Sequence, residues 1–303
     1  MRKPCFVVDA FTAAPLAGNP AGVVLEAADL GSPTLQRIAA ELRHSETAFP
    51  LPARDPLAQL HLRWFTPETE VAFCGHATLA ALHVLVEEAQ RIRVPDGKTT
   101  HLAFTCKAGK LRAELSREQG VLQILIETPP CGFEPQPVDV EVLAALGLVP
   151  EVLDPKLLPR RSVSPEPNLW IALRDRETLA RVRPDAAALI EAGRRLNVFG
   201  FCAFVGNPIA GVDAAVRCFF PAQGILEDPV TGMAAGQLGA LLQDALPEEL
   251  PRRLVFTQGD ELHRPGRVEV QVRPESEPGK VRSWIGGRAT VVLRGELDLG
   301  GLR

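Results

Sequence analysis

Four residues of this chain, Cys74, His76, Asp228 and Glu46, combine a reactive side chain with a setting at the end of a structural element. Residues 64–88, WFTPETEVAFCGHATLAALHVLVEE, break an apolar run at Thr66-Pro67 and re-enter the protein through Cys74-Gly75-His76, at the head of a helix. The first N–H groups of a helix lack intrahelical partners and carry the positive end of its dipole, so Gly75-His76 is a ready place for a carboxylate. Residues 227–246, EDPVTGMAAGQLGALLQDAL, repeat the design, with Asp228 in the turn and Gly232-Met233 at the helix start. If the two helices face each other, both positive ends look into one crevice lined by His76 and Asp228. Glu46 stands at a helix-to-strand corner, in His44-Ser45-Glu46-Thr47. Each also has an ordinary reading: a solvated corner glutamate, a core or capping histidine, a helix-capping aspartate, a cysteine that is a buried small hydrophobe.

The elements around these residues are legible from periodicity. From His76 to Glu88 there is no Gly or Pro and the apolar residues surround the axis, which predicts a helix buried on nearly all sides. Ala77, Ala80 and Ala81 let neighbouring backbone approach it, as a helix threaded through a curved sheet requires. In the second helix Gly232, Gly236 and Ala240 recur every four residues; a helix-interior Gly costs about 1 kcal/mol against Ala, so close packing must compensate. CFVVD, AGVVL, LHLRWF, HLAFTC and KLRAEL read as strands joined by short turns, which favours antiparallel pairing. Ser32-Pro33 starts a helix as cap and first-turn residue, and VLQILIE at 121–127 opens a second half. GNP recurs at 18–20 and 206–208, and with the two buried helices it points to a duplicated architecture.

Composition narrows the function. With 303 residues, 46% hydrophobic and 23% charged, the chain can fill two ordinary cores, and a net charge of -4 excludes a generally basic nucleic-acid surface. Six scattered cysteines without CxxC spacing indicate neither a zinc site nor a disulfide framework. Asp9 interrupts the first apolar run and no run reaches membrane-spanning length, so the reading is a soluble, cytoplasmic protein with no nucleic-acid or membrane partner.

The stretches VDAFTAAPLAGNPAGVV, SETAF, RWFTPETEV with CGHATLA, RCFFPAQGILEDPVTG, QGDELHRPG and WIGGRATVVLRGEL occur in the order found in one family. Through them the chain resembles, over essentially its whole length, the PhzF-like (phenazine biosynthesis-like) isomerases, which share the diaminopimelate-epimerase fold. The resemblance implies an α+β protein of two similar halves, each a curved, mostly antiparallel, barrel-like sheet around a central buried helix, with the active site between them. The domains expected are residues 1–115, completed by 287–303, and residues 116–286.

Carried onto this sequence, the resemblance makes Glu46 the general acid/base that moves a proton between carbons of a carboxylated substrate. His76 and Asp228 are its polar partners, Asn19 a substrate contact, and the backbone around Gly75 and Gly232 the carboxylate cradle. Met233 stands where relatives carry Ser, which removes a hydroxyl donor and reshapes that end of the site. A closed, partly desolvated crevice would bring a glutamate toward the working pH, and the helix dipole would keep His76 neutral. In the related epimerases two cysteines act from opposite faces; Cys74 resembles the first, and Asp228 takes the place of the second. The expected activity is therefore a proton and double-bond shift in a small cyclic or unsaturated carboxylic acid. No metal or organic cofactor is implied, and the protein is expected to be a homodimer. The alternatives are a Cys74-dependent amino-acid racemase or epimerase, and a non-catalytic binding protein on the same fold.

Overall fold

A computed structural model describes residues 1–277 and 279–300; within that span the side chains of residues 207 and 208 are not described. The fold is α+β, with a large mixed sheet and few helices. Among the described residues no helix is long and apolar enough to cross a membrane. The chain divides into two compact units, Met1–Pro129 with Trp284–Arg303, and Pro130–Ser283.

The first unit opens with the antiparallel pair β1 (Arg2–Ala10) and β2 (Asn19–Val24), followed by α1 (Ser32–Leu42). β3 (Thr47–Pro52) runs parallel to β2, and β4 (Leu60–Phe65) antiparallel to β3. A short β5 (Glu70–Val71) and helix α2 (Gly75–His83) then lead to β6 (Thr99–Cys106), parallel to β4. The last turn of α2 passes into a π-helix over Val84–Glu88. β7 (Gly109–Glu118) and β8 (Val121–Glu127) close an antiparallel meander.

The second unit begins with β9 (Gly132–Pro135), α3 (Val140–Ala145) and β10 (Arg160–Val163). β11 (Asn168–Ala172) is antiparallel to β10; after α4 (Arg176–Arg181) and α5 (Ala186–Leu196), β12 (Gly200–Ile209) runs parallel to β11. β13 (Val212–Phe220) is antiparallel to β12, and β14 (Ile225–Asp228) and α6 (Gly232–Ala245) precede β15 (Arg252–Gln258), which is parallel to β13. β16 (Gly266–Pro274) is antiparallel to β15. β17 (Val281–Gly287) and β18 (Ala289–Asp298) return the chain to the first unit, β17 against β8 and β18 against β1.

Each unit thus pairs its strands in the same order: antiparallel, parallel, antiparallel, parallel, antiparallel. In both, the second parallel crossover carries a two- to four-residue strand and then the unit's most buried helix. Every α2 residue from Gly75 to Leu82 is buried, which its all-round apolar sequence demands. In α6 the glycines let the sheet come close: a Cβ on Gly239 would lie 2.6 Å from Val270 Cγ1 on β16.

Three expectations are corrected. Residues 121–127 do not open the second half, because β8 is hydrogen-bonded to β7 on one side and β17 on the other. The division therefore falls after Pro129 and before Trp284, not after 115 and before 287; of the expected closing segment 287–303, residues 301–303 lie outside the described residues. The second GNP lies on β12, which pairs in the order held by β3, whereas the first GNP leads into β2. Its Asn207 and Pro208 side chains are outside the described residues. Finally, Gly31 and not Ser32 is the N-cap of α1, since the Ser32 hydroxyl accepts from Arg63 Nη2 at 2.9 Å.

Candidate active site

Glu46, His76, Asn19 and Cys74 come together in the first unit. α1 ends with Arg43 in the left-handed region, φ 54°, and the chain turns so that Glu46 stands one residue before β3, its carbonyl accepting from Gly22 N–H at 3.1 Å. His76 is in the first turn of α2, and Cys74 is that helix's N-cap. Asn19 begins β2, delivered by Gly18 at φ +60°, where a Cβ would collide with the Ala10 carbonyl.

The imidazole is the hub. Asn19 Nδ2 lies 3.4 Å and Cys74 Sγ 3.5 Å from His76 Nδ1, while Ser45 Oγ lies 3.3 Å and Glu46 Oε2 3.2 Å from Nε2. An amide nitrogen can only donate, so Nδ1 accepts and Nε2 carries the proton, with Ser45 Oγ as its hydrogen-bond partner. The Glu46 and His76 side chains are 15% and 8% exposed. Although Glu46 Oε2 is in ion-pair range of Nε2, it makes no hydrogen bond. Burial pushes the Glu46 carboxyl above the usual carboxylate range, and hydrogen bonds from the Ser45 and Cys74 side chains offset part of that rise.

One carboxylate, one thiol and one imidazole, all within 4.8 Å of one another, are also donors that a zinc ion accepts. Here, however, the thiol approaches Nδ1 and the carboxylate Nε2, so the two flank the ring from different nitrogens instead of converging on one. That geometry suits a hydrogen-bonded relay better than a coordination sphere.

The second unit holds Asp228 at the end of β14. Its Oδ2 accepts from Thr231 Oγ1 at 2.6 Å, and Gln258 Nε2 donates to its carbonyl at 2.8 Å. The neighbouring Glu227 turns the other way, into a fork with Arg217: Nε to Oε1 and Nη2 to Oε2, both 2.7 Å. Arg217 also donates to the Leu179 and Val182 carbonyls, which ties β14 and α4 to β13. Gly232 is buried in the first turn of α6 and Met233 beside it is half-buried.

One assignment changes. The N-cap of α6 is Thr231, the position that Cys74 holds for α2, so the counterpart of the thiol is a hydroxyl and not Asp228. Asp228 pairs with Cys218 on β13 as Val71 pairs with Trp64 on β4, three residues before each cap. Ser45, Thr231 and Gln258 all lie inside motifs that the sequence analysis quoted. The signal that could have found them was polarity: Ser45 adjoins Glu46, Thr231 follows Asp228 by three residues, and Gln258 opens QGDELHRPG.

The sequence matches the profile of the family described as "Phenazine biosynthesis-like protein" over residues 8–295. It is 35% identical to the "Uncharacterized isomerase YddE" of Escherichia coli (strain K12), covering 98% of each chain. Among solved structures, the Bacillus anthracis phenazine biosynthesis protein of the PhzF family superposes with a TM-score of 0.86 at 28% identity, over 99% of this chain and 100% of that one. A hydroxyproline epimerase from Agrobacterium vitis shares the fold at a TM-score of 0.68 and 13% identity, over 98% of this chain and 93% of that one. With a profile match across nearly its whole length and curated relatives that are isomerases, this chain belongs to the phenazine biosynthesis-like, PhzF-type isomerase family.

Proposed function

We propose that this isomerase shifts a proton, and with it a double bond, within a small cyclic or unsaturated carboxylic acid, with Glu46 as the acid/base and no cofactor. The observation that carries the reading is the Glu46 carboxylate, 15% exposed, whose buried Oε2 faces His76 Nε2 at 3.2 Å without a hydrogen bond of its own. A base that must take a proton from carbon needs a free lone pair and an affinity raised toward the working pH. Burial provides the second.

In the proposed step Glu46 removes a proton from a carbon adjacent to the double bond. The C–H electron pair becomes the new C=C, the old π pair moves one carbon along, and the carboxyl returns its proton there, so the reaction is redox-neutral. His76 Nε2–H steadies the charge that develops, and the uncapped N–H groups around Gly75 and Gly232 receive the substrate carboxylate. Asn19 contacts the substrate, Asp228 takes part from the second unit, and Met233 shapes the carboxylate end. Each carries a test of its own by substitution. The architectural part of the proposal, two like halves each curved around one buried helix, is supported by the shared pairing order. A racemase working with two thiols is disfavoured by Thr231 at the counterpart of Cys74.

Proton NMR in D₂O on a panel of cyclic and unsaturated carboxylic acids tests the reading. Wild type should introduce deuterium at a carbon of at least one acid, and Glu46→Gln should lose this by roughly 10²- to 10⁴-fold. Undiminished exchange by Glu46→Gln overturns it. Sedimentation of the same sample tests the homodimer that accompanies the proposal.

A further inference from the structure

Gln258 reaches Asp228 by a second route besides the bond to its carbonyl. It ends β15, opposite Val216 in the parallel register of β13 and β15, and it is buried. Its amide serves three groups of a single turn. Oε1 accepts from Thr231 N–H at 3.0 Å, and Nε2 donates to the Asp228 carbonyl at 2.8 Å and to Thr231 Oγ1 at 3.1 Å. A hydroxyl oxygen that accepts from Nε2 must send its own proton elsewhere, and Thr231 sends it to Asp228 Oδ2 at 2.6 Å. The hydroxyl is therefore spent within the turn, and it makes no side-chain cap to α6.

We infer that Gln258 is a positioning residue for Asp228: it fixes the rotation of the Thr231 hydroxyl, and that hydroxyl fixes the Asp228 carboxylate. The inference deepens the proposed function and rests on the part Asp228 takes in it. A glutamine that merely braced the turn would have the same three bonds, but its removal would act on stability and not through one hydroxyl. Because the route runs through Thr231, it predicts non-additivity.

Gln258→Met keeps the length and removes all three bonds, freeing the Thr231 hydroxyl to rotate. The deuterium-exchange rate at saturating substrate should fall roughly tenfold, the equivalent of one well-aligned hydrogen bond lost from the transition state. In a Thr231→Val background the same change should shift the rate less than twofold. Should Gln258→Met melt below the assay temperature, Gln258→Glu takes its place, since it keeps an acceptor for Thr231 N–H. Equal losses in both backgrounds, or no loss in either, overturn the inference.

The ¹³C resonance of the Asp228 carboxyl gives a readout that needs no turnover. It should titrate at higher pH in Gln258→Met than in wild type, because a donor to the charged form has been released, and the difference should vanish with Thr231→Val. If wild type exchanges no acid of the panel, the functional reading of Asp228 fails while this titration still decides whether Gln258 acts through Thr231. An identical titration in wild type and Gln258→Met overturns it.

Discussion

The two helix-bearing corners of this protein share a frame and differ in chemistry. In the first, Arg63 on β4 forks to Glu70 on β5 and lies over the Phe65 ring, its Cζ 5.0 Å from the centroid. In the second, Arg217 on β13 forks to Glu227 on β14 and lies over Phe219 at 5.2 Å. Five residues after each glutamate comes the first glycine of the buried helix, Gly75 or Gly232. On this frame Cys74 corresponds to Thr231, His76 to Met233 and Val71 to Asp228.

The sharpest difference is at Glu46. Ala48 pairs with Trp64, and Cys202 pairs with Cys218, so two residues earlier Glu46 has Gly200 as its counterpart. A Cβ at Gly200 would run into the Phe220 ring and come within 2.9 Å of Asn168 Oδ1. The space that a carboxylate occupies in one unit is filled by an aromatic ring in the other. Shared frame, unshared chemistry: the imidazole, thiol and raised carboxyl belong to one unit, which fits a proton carried by a single group and not a symmetric pair of bases.

The two forks lie at different depths. Arg217 and Glu227 are 4% and 10% exposed, against 16% and 20% for Arg63 and Glu70. Removing one partner of a buried pair strands a charge, so Arg217→Met should cost about 3–5 kcal/mol in chemical denaturation. Arg63→Met, with solvent near enough to share the load, should cost about 1 kcal/mol. Equal costs would mean that the two forks are not the same device at different depths. Next in size, Gly200→Ala should destabilise by about 1–3 kcal/mol through overpacking against Phe220, measured as a shift in the urea midpoint. A neutral result would mean that the ring gives way and that the counterpart position is open.

The smallest effect is at Glu46. A carboxyl whose affinity is raised on folding binds its proton more firmly folded than unfolded, so its contribution favours the folded state at low pH and is lost as pH rises through the folded value. Glu46→Gln, which carries no charge to bury, should therefore melt at a higher temperature than wild type above neutrality, and the gap should close as pH falls toward 4.5. A gap that widened on acidification would mean that the carboxylate is stabilised in place.

How far the sequence led follows from where each signal resides. Period-two strands, the all-apolar α2 and the small-residue α6 were legible because burial is written into their composition. The N-cap of α1 was not, because the Ser32 hydroxyl is drawn into a tertiary bond with Arg63. Of the two signs of an internal repeat, the buried helices do correspond, but GNP falls on strands of different rank. The repeat's further carriers, Arg-x-Phe and the later Glu with Gly five residues on, were hidden by unequal spacing: seven residues from Arg63 to Glu70, ten from Arg217 to Glu227. Glu46 could be located on a corner, but the low exposure of its side chain, 15%, is set by tertiary packing, which no local pattern records.

The order of strands along the chain also has a consequence for synthesis. The second unit occupies one uninterrupted stretch, whereas β1, residues 2–10, finds its outer partner only in β18, residues 289–298. On a ribosome, which releases the N-terminal residues first, the unit that carries Glu46 must wait with an exposed strand edge while the unit without it can already close. The unit that gathers Glu46, His76 and Cys74 is therefore completed after its neighbour, once β18 has been made.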